Sequence, residues 1–228
     1  MDEAPDLQTR FALNITLLSG LTDQRIFQAF AAVKREEFLG PPPWYRWTSP
    51  DPDETGDVRD EEVSSSDPAF VYEDDVVAID RARGINNGAP GLHARCLAAL
   101  GIQEGQDILH IGAGTEYYSA ILAELTGADG HVSAFEIDPV LAGRAKENLA
   151  PWPQVEVQAS SGISSALPAA DIIYVNAGAT HPCKTWIDAL RPGGKLLFPF
   201  AVCGGLQRHF ACQKTRLRRQ LGKPVYTA

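Results

Sequence analysis

Along the chain, apolar positions first follow a helical rhythm and later alternate between short strands and helices. Ile26, Phe27, Phe30 and Val33 recur at helical spacing, which predicts a helix over residues 22–39 with Thr22 as N-cap. Gly40-Pro41-Pro42-Pro43 stops it. Residues 44–68 carry prolines, acids and Ser64-Ser65-Ser66 and read as a loop, its start pinned by Trp44 and Trp47. Residues 70–79 read as a short strand or an extended connector. Leu92, Cys96, Leu97 and Leu100 share one face of a helix over Pro90–Leu100.

The rhythm then changes. Strands are expected at 107–111, 131–137, 154–159, 171–176 and 195–200, with helices at 117–126, 139–149 and 182–190 between them. Strand and helix taking turns at this spacing imply βαβ units, right-handed crossovers and a mostly parallel sheet with helices on both faces. The expected fold class is therefore α/β and Rossmann-like, over residues 84–228. Residues 1–83 form an N-terminal helical extension that includes an acidic loop at about 41–68. No internal repeat is visible.

Composition changes this picture little. The 228 residues are 44% hydrophobic, enough for a sizeable core. Of the formal charge of −9, the stretch 51–67 accounts for −7, with eight acids against Arg59 alone. The acidity therefore reports one solvated segment, not a preference for basic partners. No basic start precedes an apolar core at the N-terminus, and no run approaches the roughly 20 apolar residues that cross a bilayer. Cys96, Cys183, Cys203 and Cys212 lack metal-ligand spacing. A protein of the cytoplasm with reduced thiols, no metal and no membrane partner is the expectation.

Candidate chemistry gathers in "LHIGAGTEYYSAIL", residues 109–122. A strand ends at Gly112, and Gly112 and Gly114 let a ligand approach the backbone. Tyr118, Ile121, Leu122 and Leu125 start a helix there, whose free N–H groups attract an anion. A dinucleotide fingerprint needs a third glycine where Tyr117 stands, and no Gly-Lys-Ser/Thr of a phosphate loop follows. Glu136 ends the next strand 22 residues past Gly114, placed to accept hydrogen bonds from both hydroxyls of a ribose. Asp138, followed by Pro139, reads as the next helix's N-cap. A glycine turn without the third glycine, in register with a strand-end acid, points to S-adenosylmethionine. Its adenosine is expected over Glu136 and Ile137, and its methionine carboxylate beside the backbone of Gly112, Ala113, Gly114 and Thr115.

The chain also resembles the protein-L-isoaspartate O-methyltransferase family. The resemblance is carried by "LTDQRIFQAFAAVKREEFLG", "GINNGAPGLHARCLAALGI", "DILHIGAGTEYYSAILAELTG", "VSAFEID" and "LRPGGKLLFPF", in that order. It implies a Rossmann-like methyltransferase fold, S-adenosylmethionine as donor, and a protein or peptide carboxylate on damaged aspartyl residues as acceptor. It also implies that Asn86, Asn87 and Gly88 stand where the family's acceptor loop carries Thr-Ile-Ser, so the serine hydroxyl is missing here. His110 stands where the family usually has an acid, and Glu116 where it usually has a glycine. Ser160-Ser161-Gly162 replace a Gly-Asp-Gly that meets the adenine.

Methyl transfer from a sulfonium to an anionic carboxylate needs alignment and exclusion of water, and no general base. Asn86 and Asn87 can hydrogen-bond an acceptor or simply form a turn. His93 is either a packed histidine or an acceptor contact. On the cofactor side, His110, Tyr117, Ser161, Gly162 and Asn176 complete the expected set, with Glu116 facing the methionine ammonium. After Asp188 the chain has no acid, and six bases fall in 208–223. That segment shows little of the alternation a closing β-hairpin needs, and RLRR alone is a weak signal for nucleic acid. Two alternatives remain beside the leading one: a cofactor-binding or interaction module with little catalysis, and a methyltransferase with another acceptor.

Overall fold

A computed structural model describes residues 6–48, 61–163, 167–201 and 207–213. The chain forms two compact units, Met1–Arg95 and Cys96–Ala228.

The first unit opens with α1, Leu7–Leu18, in a stretch where the sequence had shown no element. Asp6 caps it by accepting a hydrogen bond from the Thr9 N–H, and Phe11, Ala12 and Ile15 are buried. Leu13, Leu17 and Leu18 are exposed, so apolar residues lie on both faces and no stripe stands out. The helix expected over 22–39 is two pieces. α2 spans Gln24–Ala32 and is capped by Asp23, not Thr22, because the Asp23 carboxylate reaches the Arg25 N–H. Val33 is extended, and a 3₁₀ turn follows at Arg35–Phe38.

The break turns Arg35 inward, where it is fully buried. Its guanidinium donates to the carbonyls of Val71 at 2.7 Å, Glu73 at 2.9 Å, Asp75 at 2.8 Å and Gly88 at 3.2 Å, and to Asn87 Oδ1 at 3.3 Å. A buried cation is tolerable only with its donors matched in this way.

The stretch 44–68, expected as loop, contains an antiparallel pair instead. β1, Trp44–Thr48, pairs with β2, Glu61–Ser65, from Trp44↔Ser65 to Thr48↔Glu61. The ladder is made by backbone groups, so polar β2 joins it without an apolar face. The acidic residues between the two strands lie outside the described residues. Residues 70–79 leave a 3₁₀ turn, Pro68–Val71, and end in β3, Ala78–Asp80, which pairs with β4, Ile85–Asn86. α3, Pro90–Leu100, follows as expected and carries the border between the units.

The second unit is the Rossmann-like sheet. In chain order it comprises β5 Asp107–Ile111, α4 Tyr117–Thr126, β6 His131–Phe135, α5 Pro139–Asn148 and β7 Val155–Gln158. It continues through β8 Ala170–Val175, α6 Lys184–Ala189, β9 Leu190–Ala201 and β10 Gln207–Gln213. The sheet order is β10-β9-β8-β5-β6-β7, parallel except for β10, which runs antiparallel to β9. The chain builds outward from β5 to β7, then returns to β8 on the other side. The carboxyl ends of β5 and β8 thus flank the switch point where such sheets hold ligands.

α4 is buried almost all round, with Tyr118, Ile121, Leu122 and Leu125 in the core. On the opposite flank, Trp186 and Leu190 pack with Leu109, Ile173, Leu196 and Phe198. β10 corrects the expectation drawn from weak alternation near the C-terminus, since it pairs from Gln207↔Ala201 to Gln213↔Lys195. An edge strand needs one neighbour's backbone more than it needs a patterned face. Most of the basic tail, from residue 214 on, lies outside the described residues. No described helix is long and apolar enough to cross a membrane.

Candidate functional site

The site is built at the ends of β5 and β6. Gly112 (φ +72°) and Gly114 (φ +62°) both take the left-handed conformation that favours glycine. At Gly112 a Cβ would lie 2.9 Å from the Ala177 backbone nitrogen. Its bareness therefore serves close packing against the end of β8. The Gly114 N–H donates to Glu136 Oε2 at 2.7 Å, and the Asp138 N–H donates to Glu136 Oε1 at 2.9 Å. Two backbone amides thus hold the carboxylate against the glycine turn, and each oxygen keeps a lone pair for a further donor. Asp138 caps α5 through the N–H groups of Val140 and Leu141, as its position implied.

Beside Glu136 stands Ile137, a large apolar side chain 73% exposed. Val140 (68%) and Ile163 (58%) are likewise exposed and were not anticipated. Val140 is three residues from Ile137 across the Asp138-Pro139 cap, a signal the sequence did carry. Ile163 follows Gly162, which is pinned from two sides: its carbonyl accepts the Trp186 indole N–H at 2.7 Å, and a Cβ would lie 2.5 Å from Ile111 Cγ2. Ser161 accepts from the Ile163 N–H at 3.4 Å.

Several expected residues sit deeper than the sequence suggested. Thr115 is buried, and its carbonyl accepts from Asn148 Nδ2 at 3.1 Å. Tyr117 is buried edge-to-face on Tyr118, with ring centroids 5.0 Å apart, so its ring packs inside and does not wall an open crevice. Ala113 is also buried, with its N–H directed to the Phe135 carbonyl at 3.3 Å. His110, expected to face the cofactor, is wholly enclosed. Its ring stacks on Tyr174 (5.4 Å, 18°), Nδ1 lies 2.6 Å from Ser119 Oγ, and Nε2 lies 2.7 Å from Asn176 Nδ2. Burial lowers its pKa to about 3, so the imidazole is neutral. An alternating strand in a sheet covered on both faces has no exposed side for it.

Glu116 is the other departure. It takes φ +76°, the left-handed value, among the described residues the sole non-glycine to do so. Its side chain turns inward and is buried, instead of facing a ligand. Oε2 accepts the Ser119 hydroxyl, while Oε1 has no hydrogen-bond partner among the described residues. Burial pushes its pKa up to about 8, and the nearby Glu136 charge adds to the rise.

The four acceptor-side candidates all lie in the first unit. Asn86 is exposed and accepts the Gly88 N–H on Oδ1 at 3.0 Å, which makes a local turn. Asn87 is buried, with its amide oxygen accepting from Arg35 and its N–H donating to the Val77 carbonyl at 2.8 Å. Gly88 (φ +68°) lies directly against His93: a Cβ there would be 2.3 Å from His93 Nε2. The structure therefore brings Asn86, Gly88 and His93 together and commits Asn87 to holding the loop.

The family model "Protein-L-isoaspartate(D-aspartate) O-methyltransferase (PCMT)" matches residues 58–224. The chain belongs to this family. A protein-L-isoaspartate O-methyltransferase of Aeropyrum pernix is 36% identical over 191 residues, covering 81% of this chain and 63% of that protein. A solved structure of a protein-L-isoaspartate O-methyltransferase superposes with a TM-score of 0.73 at 23% identity, over 90% of this chain and 59% of the other. A Plasmodium falciparum structure assigned to the same family, in complex with S-adenosyl-L-homocysteine, gives 0.69 at 17% identity, over 91% and 89%. The chain thus spans under two thirds of the first two proteins. The two superpositions support the Rossmann-like fold seen in β5–β9.

Proposed function

We propose that the protein is an S-adenosylmethionine-dependent methyltransferase that esterifies a carboxylate of a protein or peptide, with isoaspartyl residues as the acceptor class. The observation that carries the reading is Glu136, held by the Gly114 amide at 2.7 Å where β5 and β6 end. A carboxylate fixed there accepts ribose hydroxyls, and exposed Ile137 offers an apolar face to a flat base. The glycine turn leaves room for the cofactor's amino-acid end, and the start of α4 favours its carboxylate. When bound, the cofactor supplies an electrophilic methyl group on sulfur.

The acceptor carboxylate is its own nucleophile. With the cofactor bound, its oxygen would take the methyl group and the sulfur would keep the electron pair of the broken bond, so no side chain would need to move a proton. The protein's part is to align the two reactants and exclude water. On the acceptor side we assign contacts to the Asn86 amide and His93. Gly88 supplies no hydroxyl, but its missing side chain leaves His93 Nε2 in that space. A soluble cytoplasmic setting with protein substrates and no nucleic acid completes the reading.

Calorimetric titration with S-adenosylhomocysteine, followed by methyl-ester formation on matched isoaspartyl and aspartyl peptides, tests the proposal. Cofactor binding without methylation of the isoaspartyl peptide rejects that acceptor. Absence of binding rejects the cofactor.

A further inference from the structure

Beneath the glycine turn, four side chains form an unbroken line: Glu116, Ser119, His110 and Asn176. Ser119 Oγ bonds Glu116 Oε2 on one side and lies 2.6 Å from His110 Nδ1 on the other. His110 Nε2 then lies 2.7 Å from the Asn176 side-chain amide. Glu116, Ser119 and His110 are buried, whereas Asn176 is half-buried at the carboxyl end of β8, its backbone N–H bonded to Ile111 O at 2.8 Å. The inner end of the line is a carboxyl group with one oxygen unpartnered among the described residues. Its outer end is an amide beside the glycine turn.

We propose that this line is a directed hydrogen-bond relay, in which the protonation of Glu116 sets which end of the Asn176 amide is presented at the cofactor edge, making Asn176 a positioning residue. With the imidazole neutral, two donor–acceptor arrangements complete all three links of the line. With Glu116 ionised, Ser119 donates to the carboxylate, His110 Nδ1–H donates to Ser119, and Asn176 Nδ2 donates to His110 Nε2. The Asn176 carbonyl is then free to face outward. With Glu116 protonated, it donates to Ser119, Ser119 donates to His110 Nδ1, and His110 Nε2–H donates to the Asn176 carbonyl. The amide NH₂ then faces outward.

Conversion to the ionised form passes a proton from Glu116 to Ser119 and one from Ser119 to His110 Nδ1, releases the His110 Nε2 proton, and turns the Asn176 amide over. Imidazole stays neutral in both forms, consistent with its lowered pKa. The structure shows the pairings of the ionised form, Ser119 donating to Glu116 and Asn176 Nδ2 against His110 Nε2, whereas the rise of the Glu116 pKa to about 8 favours the protonated form near pH 7, so the two arrangements lie within reach of one another. Other titratable groups around the line are Glu136 at the end of β6 and Tyr174 of β8 against the His110 ring, with Cys96 of α3 and Tyr118 of α4 coupled to Tyr174. Burial raises the Tyr174 pKa, so it remains a neutral phenol throughout.

A cationic ligand at the edge favours the outward carbonyl and an ionised Glu116. S-adenosylmethionine, whose sulfonium carries an extra positive charge relative to its product, should therefore draw the relay across more strongly. This second half rests on the cofactor reading; the relay itself does not.

The test is the His110 tautomer in the ligand-free protein, read from its two ring nitrogens by NMR between pH 6 and 10 and assigned by its loss in His110→Asn. The expected result is Nε2–H at low pH and Nδ1–H at high pH, with the transition abolished in Glu116→Gln and in Ser119→Ala. An unchanging tautomer in the wild type, or the same transition in either variant, overturns the relay. Calorimetry with S-adenosylmethionine in buffers of different ionisation enthalpy should then show close to one proton released per ligand at pH 7, less with S-adenosylhomocysteine, and none in Glu116→Gln. Equal proton release by wild type and Glu116→Gln overturns the coupling. A tautomer transition without any ligand binding upholds the relay and rejects the cofactor reading.

Discussion

Arg35 and Glu116 are both buried ionisable residues, one in each unit, and their surroundings differ in kind. Arg35 meets four backbone carbonyls and an amide oxygen. Glu116 meets a single hydroxyl and leaves one oxygen without a partner among the described residues. A fully matched buried charge is costly to disrupt, because its removal strands every group that pairs with it, which marks a structural role. A half-matched acid can shed or take a proton with modest rearrangement, which marks a site poised to change state.

Arg35→Met probes this contrast most severely. It strips donors from the carbonyls of Val71, Glu73, Asp75 and Gly88 at once. Chemical denaturation should show a loss of about 3–5 kcal/mol. A loss under about 1 kcal/mol would mean that those carbonyls find other donors, and the contrast with Glu116 would dissolve.

Glu136→Ala comes next. It removes the carboxylate held by Gly114 and Asp138, and S-adenosylhomocysteine affinity should fall by an amount worth about 1.5–3 kcal/mol, measured by calorimetry. An unchanged affinity would move the ribose elsewhere.

Glu116 itself should betray its proton through stability against pH. Its folded pKa, about 8, lies above the ordinary carboxyl value of 4.5, so the folded state holds the extra proton between those values. Stability from this group is complete below about pH 4.5 and is lost as pH rises through 8, with a slope of at most about 1.4 kcal/mol per pH unit. The wild type minus Glu116→Gln difference in denaturation free energy isolates it. A difference that grows with pH would refute the assigned direction.

The smallest effect is expected at Gly88→Ala, which places a methyl group at φ +68° against His93. It should cost about 1–2 kcal/mol, with the part due to the clash recovered in the double variant with His93→Ala. Full additivity of the two substitutions would show that the ring simply moves aside.

The readable parts of this molecule were those written in local pattern. β5 and α4 begin and end where periodicity put them, because a covered parallel strand and a core helix must each carry an apolar run of the matching period. Glu136 and Asp138 were legible because a strand end followed by Asp-Pro defines both a sheet edge and a helix cap. α1 was missed because its leucines point both ways, and β1–β2 and β10 because backbone ladders leave little trace in side-chain order. Ser119 carried no signal at all: one serine in an apolar helix looks like any other until His110 and Glu116 close on it.

Sequence alone determined the alternation of strands and helices from β5 to β9, the bare turn at Gly112–Gly114 and the acid 22 residues beyond it, since each follows from residue type and near neighbours. Tertiary structure alone decided which polar groups face water and which face one another. It enclosed His110, turned Glu116 inward, spent Asn87 on Arg35 and set His93 against Gly88. The reason is that burial and hydrogen-bond pairing depend on residues distant in the chain, and their cost or gain exists only once the fold has brought those residues together.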